Sequence, residues 1–574
     1  MEESHPPLAS RIASLVHDHF NALPARCKPT IHPDGSREWI PMSGIVVVKG
    51  QDTPSETLTC VAVTTGAKCL SASQIPRCRG LVLHDCHAEI LALRAFNHWL
   101  LNECRSLLDR ERQSLHVVNN DNDNDVPSSP FVRRRASGKK DIVPSNLKGP
   151  GLLWPPFELR PDIKIYMYCT CAPCGDASME LCMAAQEDPT PWTVPPRPDL
   201  KTITTTTATT ASTDISPPPD TTAPSTDLLD GRAHFSLLGV VRRKPARVDA
   251  ESTRSKSCSD KLALRQVTSL LSYPATLLVA PTESAYLAGL VLPEEEISRV
   301  ACERAFGDGE TGRMRTLRGS VWKTADSAAG AGSSSYGYVY RFLPFQVLSI
   351  PTEEVEAQWA FGKPKTAPPP PPPPPLSSSA TAQPEGVQSK VPPKKSKPGT
   401  VSAVWTAPSP LSSSSSLHHG SGVQSKSKSP TTGGGLLEVI INGVKQGNRA
   451  SPPTARGASA LSRAKMWSLL RDIISQLSPV QLPDPATNEQ PNTEKEVVGE
   501  DKGLEENDDA VRWRILEAVS YEQFKRAPEM STDWIRLREL AMQDAKRVLQ
   551  PWIPNRGDED WGIGVLIDPG KKKA

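Results

Sequence analysis

The chain has 574 residues, of which 37% are hydrophobic and 5% aromatic, and its 57 prolines occur in clusters. This composition excludes a compact globule over the full length and predicts a folded core of roughly 350 residues, because polar and proline-rich segments bury too little apolar surface to offset the entropy of ordering. The 66 basic and 64 acidic side chains give a net charge of +2, so any nucleic-acid-binding face has to be local.

The chain has no apolar run of the ~18 residues that cross a membrane. The first residues, MEESHPPLAS, lack the basic and apolar regions of a signal peptide. We therefore expect an intracellular protein, cytoplasmic and/or nuclear, that is not secreted. Its twelve cysteines are then thiols or metal ligands rather than disulfides.

Hydrophobic periodicity predicts alternating helices and strands along the chain. The predicted elements are a helix over 9–22, strands over 44–49 and 59–63, a helix over 87–101, a strand over 163–168 that runs into a turn over 169–174 and then a helix over 176–185, and ordered segments at 272–292, 338–348, 436–443 and 459–474. This alternation predicts an α/β fold with helices on the faces of a sheet.

Low-complexity segments interrupt this pattern. We predict an N-terminal helical segment (1–39), one folded domain (40–567) and a basic tail (568–574), with disordered insertions at about 110–150, 186–230, 364–434 and 480–508. Because 364–434 is polar and proline-rich, we expect its deletion to leave activity largely intact.

Two short motifs carry the candidate chemistry. His87-Ala88-Glu89 begins one predicted helix, and Pro173-Cys174 lies between a predicted strand and the next helix. Catalytic zinc takes three protein ligands and keeps its fourth position for water, whose pKa it lowers. A glutamate two residues after a ligand histidine reaches that water without binding the metal. This spacing is typical of nucleobase deaminases, in which the glutamate transfers protons.

The third zinc ligand stays open on local evidence. The usual signature continues Pro-Cys-x-x-Cys, but position 177 is alanine. Cys171, Cys169 and Cys86 are near in sequence. Cys258 is favoured because it precedes a helical run, where the helix dipole stabilises a thiolate.

Three segments, HDCHAEILALRAF, CAPCGDASMEL and SKSCSDKLALRQV, together resemble the adenosine-to-inosine editing deaminases. The resemblance implies a cytidine-deaminase-like mixed central sheet with helices on both faces. It also implies a zinc site of His87, Cys174 and Cys258, with Glu89 as the catalytic proton shuttle for attack of zinc-bound water on C6 of adenine. In relatives a Trp-Thr pair lies near a core strand. Within the third predicted insertion (364–434), Trp405 and Thr406 are therefore the residues most expected to contribute to the folded core.

Within this family the chain is similar to the fungal tRNA-specific adenosine deaminases. Too few residues precede the first core strands for a double-stranded-RNA-binding domain and a linker. The implied reaction is hydrolytic deamination of the adenosine just 3′ of the anticodon (position 37) of alanine tRNA, with no obligate protein partner and no membrane. Lys68 is similar to a residue of a family loop beside the active site and is predicted to bind RNA.

The resemblance also implies a structural inositol hexakisphosphate buried in the core. Its predicted ligands, carried over from the family pattern, are Arg94, Lys261, Arg463, Tyr521, Lys525, Trp552 and Asp560. Leu264 stands where many editing enzymes carry a basic residue, and Arg265 follows it.

Basic runs at 133–135, 139–140, 242–244 and 571–573 are weaker candidates for RNA contact, since most such runs are solvated.

Three other functions remain as alternatives. The first is an editor of duplex RNA, the second is a cytidine or free-nucleoside deaminase, and the third is a zinc-stabilised RNA-binding protein that would not need Glu89.

Overall fold

The computed structural model describes the parts of the chain that the predicted core elements occupy. The described residues are 6–31, 33, 37–116, 128–135, 154–185, 229, 237–244, 251–323, 339–363, 397–410, 435–477, 511–526 and 532–567. The basic runs at 139–140 and 571–573 and most of the four predicted insertions lie outside them.

The described elements confirm the predicted alternation of helices and strands. The helices are α1 (Leu8–Asn21), α2 (Ala88–His116), α3 (Met179–Ala184), α4 (Cys258–Thr268), α5 (Tyr273–Thr276), α6 (Arg299–Phe306), α7 (Thr352–Gln358), α8 (Arg463–Leu477), α9 (Tyr521–Arg526) and α10 (Asp533–Val548), with a further helical stretch at 511–517. The strands are β1 (Met42–Lys49), β2 (Thr57–Thr65), β3 (Ala67–Cys69), β4 (Asp85–His87), β5 (Val132–Arg134), β6 (Phe157–Leu159), β7 (Ile163–Cys169), β8 (Leu287–Pro293), β9 (Val321–Lys323), β10 (Val339–Arg341), β11 (Gln346–Ile350), β12 (Ser402–Thr406), β13 (Leu437–Ile441) and β14 (Val444–Lys445).

The centre of the molecule is an eight-stranded mixed sheet. Its strand order is β11-β8-β7-β1-β2-β12-β13-β14. The pairs β11–β8 and β8–β7 are parallel, and the remaining neighbours are antiparallel. The predicted mixed α/β sheet is thus confirmed.

Strand β1 shows why the sheet has helices on both faces. Ile45 and Val47 belong to the large apolar cluster that contains α2 and α4, whereas Val46 and Val48 belong to a second cluster with α1. Successive strand residues point to opposite faces, so an unbroken apolar run is what a strand covered on both sides requires. The N-terminal helix α1 is therefore the layer on the second face.

The predicted boundary of the third insertion is wrong at 402–406. These residues form β12, which pairs with β2 on one side and β13 on the other. Ala403 and Val404 are buried, and Thr406 is 2% exposed. Local sequence suggested a linker because β12 is a short strand flanked by proline and serine runs. Deleting 364–434 would remove a central strand, so the expectation that this deletion preserves activity is withdrawn.

The first insertion is also shorter than predicted. Helix α2 continues to His116, and β5, which lies inside the range predicted to be disordered, pairs with β6 beyond that range. Among the described helices, none combines the length and apolarity needed to cross a bilayer.

Candidate active site

The first motif lies where β4 meets α2. β4 pairs with β3, which places His87 opposite Ala67. The backbone N–H of Ala88 donates to the Gly66 carbonyl at 2.9 Å, and Thr64 Oγ1 donates to the Ala88 carbonyl at 2.7 Å. These bonds hold the start of α2 against the end of β2. Glu89, in the first turn of α2, is 6% exposed.

The second and third motifs interlock. Cys174 follows β7, and Cys258 is the first residue of α4. Ser259 N–H donates to the Cys174 carbonyl at 3.0 Å, and Ser259 Oγ accepts from Ala177 N–H at 3.1 Å. Gly175 has a φ of +105°, and a Cβ there would lie 2.2 Å from Ser257 Oγ. Glycine is therefore required for this close approach.

The three predicted ligands lie together. Nδ1 of His87 is 3.8 Å from Cys174 Sγ and 3.7 Å from Cys258 Sγ. Neighbouring ligand atoms of a tetrahedral zinc site with one imidazole and two thiolates are about 3.5–3.8 Å apart, so the donor set and its spacing fit zinc. Of the other cysteines considered as the third ligand, neither Cys171 nor Cys169 nor Cys86 belongs to a described group of this kind.

Two other groups in the described chain have metal-ligating side chains within similar reach: Cys69, Asp85 and His87, and Cys78, His84 and Asp558. In both groups, the carboxylate already accepts hydrogen bonds from other groups of the protein. Asp85 accepts from two lysines, and Asp558 accepts from Gly80 N–H at 2.8 Å and His84 Nε2 at 2.9 Å. Neither group is as free to bind a cation as the first.

The comparisons with known proteins point to the same chemistry. The model of the adenosine-deaminase (editase) domain matches residues 62–126 and 147–314, which include all three motifs. These residues are therefore similar to an adenosine-deaminase (editase) domain.

The curated relatives include tRNA enzymes and an RNA editase. The tRNA-specific adenosine deaminase 1 of Schizosaccharomyces pombe is 34% identical over 299 residues, covering 52% of this chain and 60% of the relative. The tRNA-specific adenosine deaminase 1 of Saccharomyces cerevisiae is 30% identical over 277 residues, covering 47% of this chain and 55% of the relative. The double-stranded RNA-specific editase B2 of Mus musculus is 32% identical over 136 residues, covering 24% of this chain and 14% of the relative. The matches thus span little more than half the length of the two yeast relatives.

The electrostatics of this site favour a thiolate at Cys174 and a carboxyl at Glu89 that can hold a proton. A hydrogen bond from the Cys258 thiol, with the charges of Lys244 and His87, lowers the pKa of Cys174 well below its usual range despite burial. The thiolate is the form that binds metals. Burial raises the pKa of Glu89, which favours a carboxyl that can hold a proton.

Two residues of the site were not predicted from sequence. Lys244 is fully buried, and its Nζ donates to Cys258 Sγ at 3.0 Å and to Asp85 Oδ1 at 2.9 Å. Burial would raise the pKa of Asp85, but Lys244 and Lys261 lower it well below its usual range. A chain of hydrogen bonds therefore runs from Lys261 through Asp85 and Lys244 to the Cys258 sulfur.

The basic run 242–244 is therefore a wrong candidate for RNA contact. Arg242 and Lys244 are buried at 0% and 1% exposure. A basic run in a sequence usually marks a solvated face, but here acidic groups from distant segments neutralise it inside the protein. Lys244 Nζ, for example, donates to Asp85 Oδ1 at 2.9 Å. In the run 133–135, Arg133 and Arg135 contact Glu158.

Asp260 ties the Cys258 helix to the rest of the protein. Its Oδ1 accepts from Arg313 Nη1 at 2.6 Å, and its Oδ2 accepts from Ser257 Oγ, also at 2.6 Å. The Arg313 and Asp260 side chains are 5% and 1% exposed. Removing one partner of a buried ion pair leaves the other charge uncompensated.

We expect Arg313→Met to lower the free energy of unfolding by roughly 3–5 kcal/mol. The matched control is Arg318→Met, because Arg318 pairs with Asp308 at side-chain exposures of 61% and 42%. That exposed pair contributes about 0–1 kcal/mol. Urea unfolding of both variants measures the difference. Equal stabilities would mean that the Arg313–Asp260 pair does not hold this helix.

Most of the predicted polyphosphate ligands surround one region. Arg463 lies 5.8 Å from the Tyr521 ring centre, and Lys525 Nζ lies 5.9 Å from it. Burial and the charge of Arg463 lower the pKa of Arg94. Although Tyr521 opposes the shift, burial and nearby arginines lower the pKa of Lys525. These cations therefore repel one another around a region in which Arg94 and Arg463 are half-buried and Lys525 is exposed.

Further basic residues belong to this region and were not predicted. Burial, with the charges of Arg538 and Arg94, lowers the pKa of Arg265 to about 9. Burial, with Lys261 and Lys546, lowers the pKa of Lys256 to about 8. Arg538 and Lys546 had no signal in the sequence because α10, which carries them, is far from the motifs along the chain.

The remaining predicted residues have different surroundings. Lys256 Nζ lies 5.8 Å from the Trp552 ring centre, so Trp552 borders the basic region. Asp560 is exposed, whereas Asp558 is buried and contacts Arg463 at 3.4 Å. Lys68 is exposed on β3, opposite Cys86, one residue before His87.

Proposed function

We propose that this protein hydrolyses adenosine to inosine and ammonia in tRNA, at the adenosine just 3′ of the anticodon of alanine tRNA. The observation that carries the proposal is the approach of His87, Cys174 and Cys258 beside buried Glu89, in a domain whose yeast relatives are tRNA-specific adenosine deaminases. The position and the tRNA rest on the family resemblance.

His87, Cys174 and Cys258 would hold zinc, whose Lewis acidity lowers the pKa of a coordinated water toward neutrality. Glu89 takes a proton from the water that attacks C6 of adenine. It delivers that proton to the adjacent ring nitrogen as the C6–O bond forms. It then takes the second proton from the hydroxyl now on C6 and delivers it to the amine, so that the C–N bond breaks, ammonia leaves and C6 becomes a carbonyl. Because Glu89 is buried, its raised pKa suits a group that both accepts and donates within one cycle. The hydrogen bond from Lys244 stabilises negative charge on Cys258.

The test is inosine formation in tRNA transcripts. Purified protein is incubated with the alanine tRNA transcript, and inosine is detected as guanosine in the sequenced cDNA. The matched control is the same transcript with guanosine at position 37. We expect conversion at position 37 alone. Conversion in long duplex RNA but in no tRNA would instead support the duplex-editing alternative. Inosine lost from tRNA of cells lacking the gene would be the corresponding result in vivo.

The assignment of the third ligand predicts different metal contents for two cysteine variants. We expect Cys258→Ala to lose zinc and Cys171→Ala to retain one equivalent, because Cys258 Sγ lies 3.7 Å from His87 Nδ1 whereas Cys171 is outside the described ligand group. Elemental analysis of the purified variants measures this. Equal retention in both would exclude Cys258 as the ligand.

We further propose that inositol hexakisphosphate is a structural cofactor of this chain. Arg94, Lys261, Arg463 and Lys525 would bind its phosphates, and Tyr521 and Trp552 would border it. The support is the set of basic side chains whose mutual repulsion lowers their pKa values. Buried cations are tolerated when anions pair with them.

A further inference from the structure

Three segments that border the candidate active site are basic and contain no aspartate or glutamate. They are 67–83, 252–257 and 444–457. Together they carry eight lysines and arginines, whereas the chain as a whole has nearly equal numbers of basic and acidic residues, 66 and 64.

Backbone contacts join these segments into one surface. Lys68 on β3 pairs with Cys86 beside His87, and Ala72 N–H donates to the Ser252 carbonyl at 3.0 Å. Leu83 N–H donates to the Gly443 carbonyl at 2.8 Å. Beneath them is an apolar cluster of Leu70, Ile75, Cys78, Val82 and Val444. The surface is therefore continuous with the hairpin that carries His87.

Six exposed cations lie on this surface. One of them, Arg254, donates from Nη1 to the Arg556 carbonyl at 2.8 Å. We refer to the other five as the basic face: Lys68, Arg77, Arg79, Arg449 and Arg456. No carboxylate in the described chain forms an ion pair with any of them. The neighbouring carboxylate of Glu251 instead accepts from Ser73 N–H at 2.7 Å and Ser73 Oγ at 2.6 Å.

Two features indicate that the ligand of this face is a polyanion. Within the described residues, none of the large apolar side chains that are exposed lies on these three segments, which disfavours a hydrophobic protein interface. Arg79 adopts a φ of +51°, a conformation that is unusual for arginine. Unfavourable backbone conformations cluster at functional sites, so the conformation of this exposed arginine indicates that its charge has a function.

We propose that the basic face binds the sugar-phosphate backbone of the tRNA that presents its base to the active site. This inference rests on the proposed function and extends it to residues beyond Lys68. Backbone phosphates bind arginine and lysine without reading sequence, so the face sets the position of the tRNA rather than the choice of base.

The test is the salt dependence of binding to an unmodified alanine tRNA transcript. The variant combines Arg77→Gln, Arg449→Gln and Arg456→Gln. The matched control combines Lys49→Gln, Lys164→Gln and Arg536→Gln. Lys49 and Lys164 lie at the end of β1 and β7 that is remote from Cys174, and Arg536 is exposed on α10. Fluorescence anisotropy gives Kd at several salt concentrations.

We expect the basic-face variant to bind about tenfold or more weakly at 0.15 M salt, and its log–log salt slope to fall by about 2–3, because each lost phosphate contact removes roughly 0.7–0.9 from the slope. The control should keep the wild-type slope. Equal slopes for variant, control and wild type would overturn the proposal. Wild-type protein that binds tRNA through this face but forms no inosine would instead refute the proposed function alone.

The variant Arg79→Asn distinguishes a role of Arg79 in tRNA binding from a role in the stability of the fold. Asparagine tolerates positive φ better than arginine does, so the variant should keep or raise Tm while it weakens tRNA binding. A fall in Tm with unchanged tRNA affinity would assign Arg79 a structural role and contradict its place in the basic face.

Discussion

Glu89→Gln is expected to abolish measurable inosine formation while zinc content, Tm and tRNA affinity stay at wild-type values. Glutamine has nearly the same shape as glutamate but cannot accept and return a proton. Positioned general acid–base catalysis contributes roughly 10²–10⁴-fold to a rate, so kcat should fall by at least that factor. Glu89 is not one of the three grouped metal-ligating side chains, and the metal should therefore remain.

Glu103→Gln is the matched control for this experiment. Glu103 lies on the same helix α2 and is fully buried, and burial raises its pKa to about 7. The same change at Glu103 should leave kcat unchanged, because its carboxyl contacts Ser129 rather than the metal-ligand group. An active Glu89→Gln enzyme would refute the proton-transfer role. An inactive one that still binds tRNA and zinc would exclude the purely structural zinc protein.

Lys525→Glu is expected to give insoluble protein rather than a slower enzyme. In the proposed complex Lys525 contacts a polyanion, and the variant would place an anion beside it. Without the polyphosphate, the half-buried Arg94 and Arg265 face other cations, and burial lowers their pKa values. Lys525 is exposed, and although Tyr521 opposes the shift, nearby arginines lower its pKa. An uncompensated ion costs several kcal/mol where it is buried, so expelling the anion would destabilise the protein mainly through Arg94 and Arg265, by an amount comparable with the roughly 5–15 kcal/mol stability of a domain.

The matched control is Arg526→Glu, one residue along α9. The Arg526 side chain is 46% exposed and pairs with Glu522 and Glu559 at 3.4 Å, so its reversal should be tolerated. Expression of the wild-type chain in cells that cannot make inositol hexakisphosphate should likewise yield little active protein. Soluble, active wild-type enzyme with no inositol phosphate in its mass spectrum would contradict the cofactor role, and these cations would then need other anions.

Local sequence was enough to predict the elements that carry the site. The apolar runs of β1 and β7 and the periodicity of α1, α2 and α4 depend on neighbouring residues, so they were visible without the fold. His87, Glu89 and Cys174 were identified for the same reason, since each lies in a short motif at the edge of an element. Strand β12 was missed because a five-residue strand inside proline and serine runs has little local signal.

The composition and motifs of the sequence by themselves determined the α/β class, and they predicted the deaminase chemistry and two candidate metal ligands, His87 and Cys174. Cys258 lies 84 residues from Cys174, and only the family resemblance selected it before the structure brought the two residues together. The buried role of Lys244 was decided only by the tertiary structure, because its partner Asp85 lies 159 residues away. A basic residue has the same appearance in sequence whether it faces solvent or a distant carboxylate, and the difference arises only when folding removes it from water.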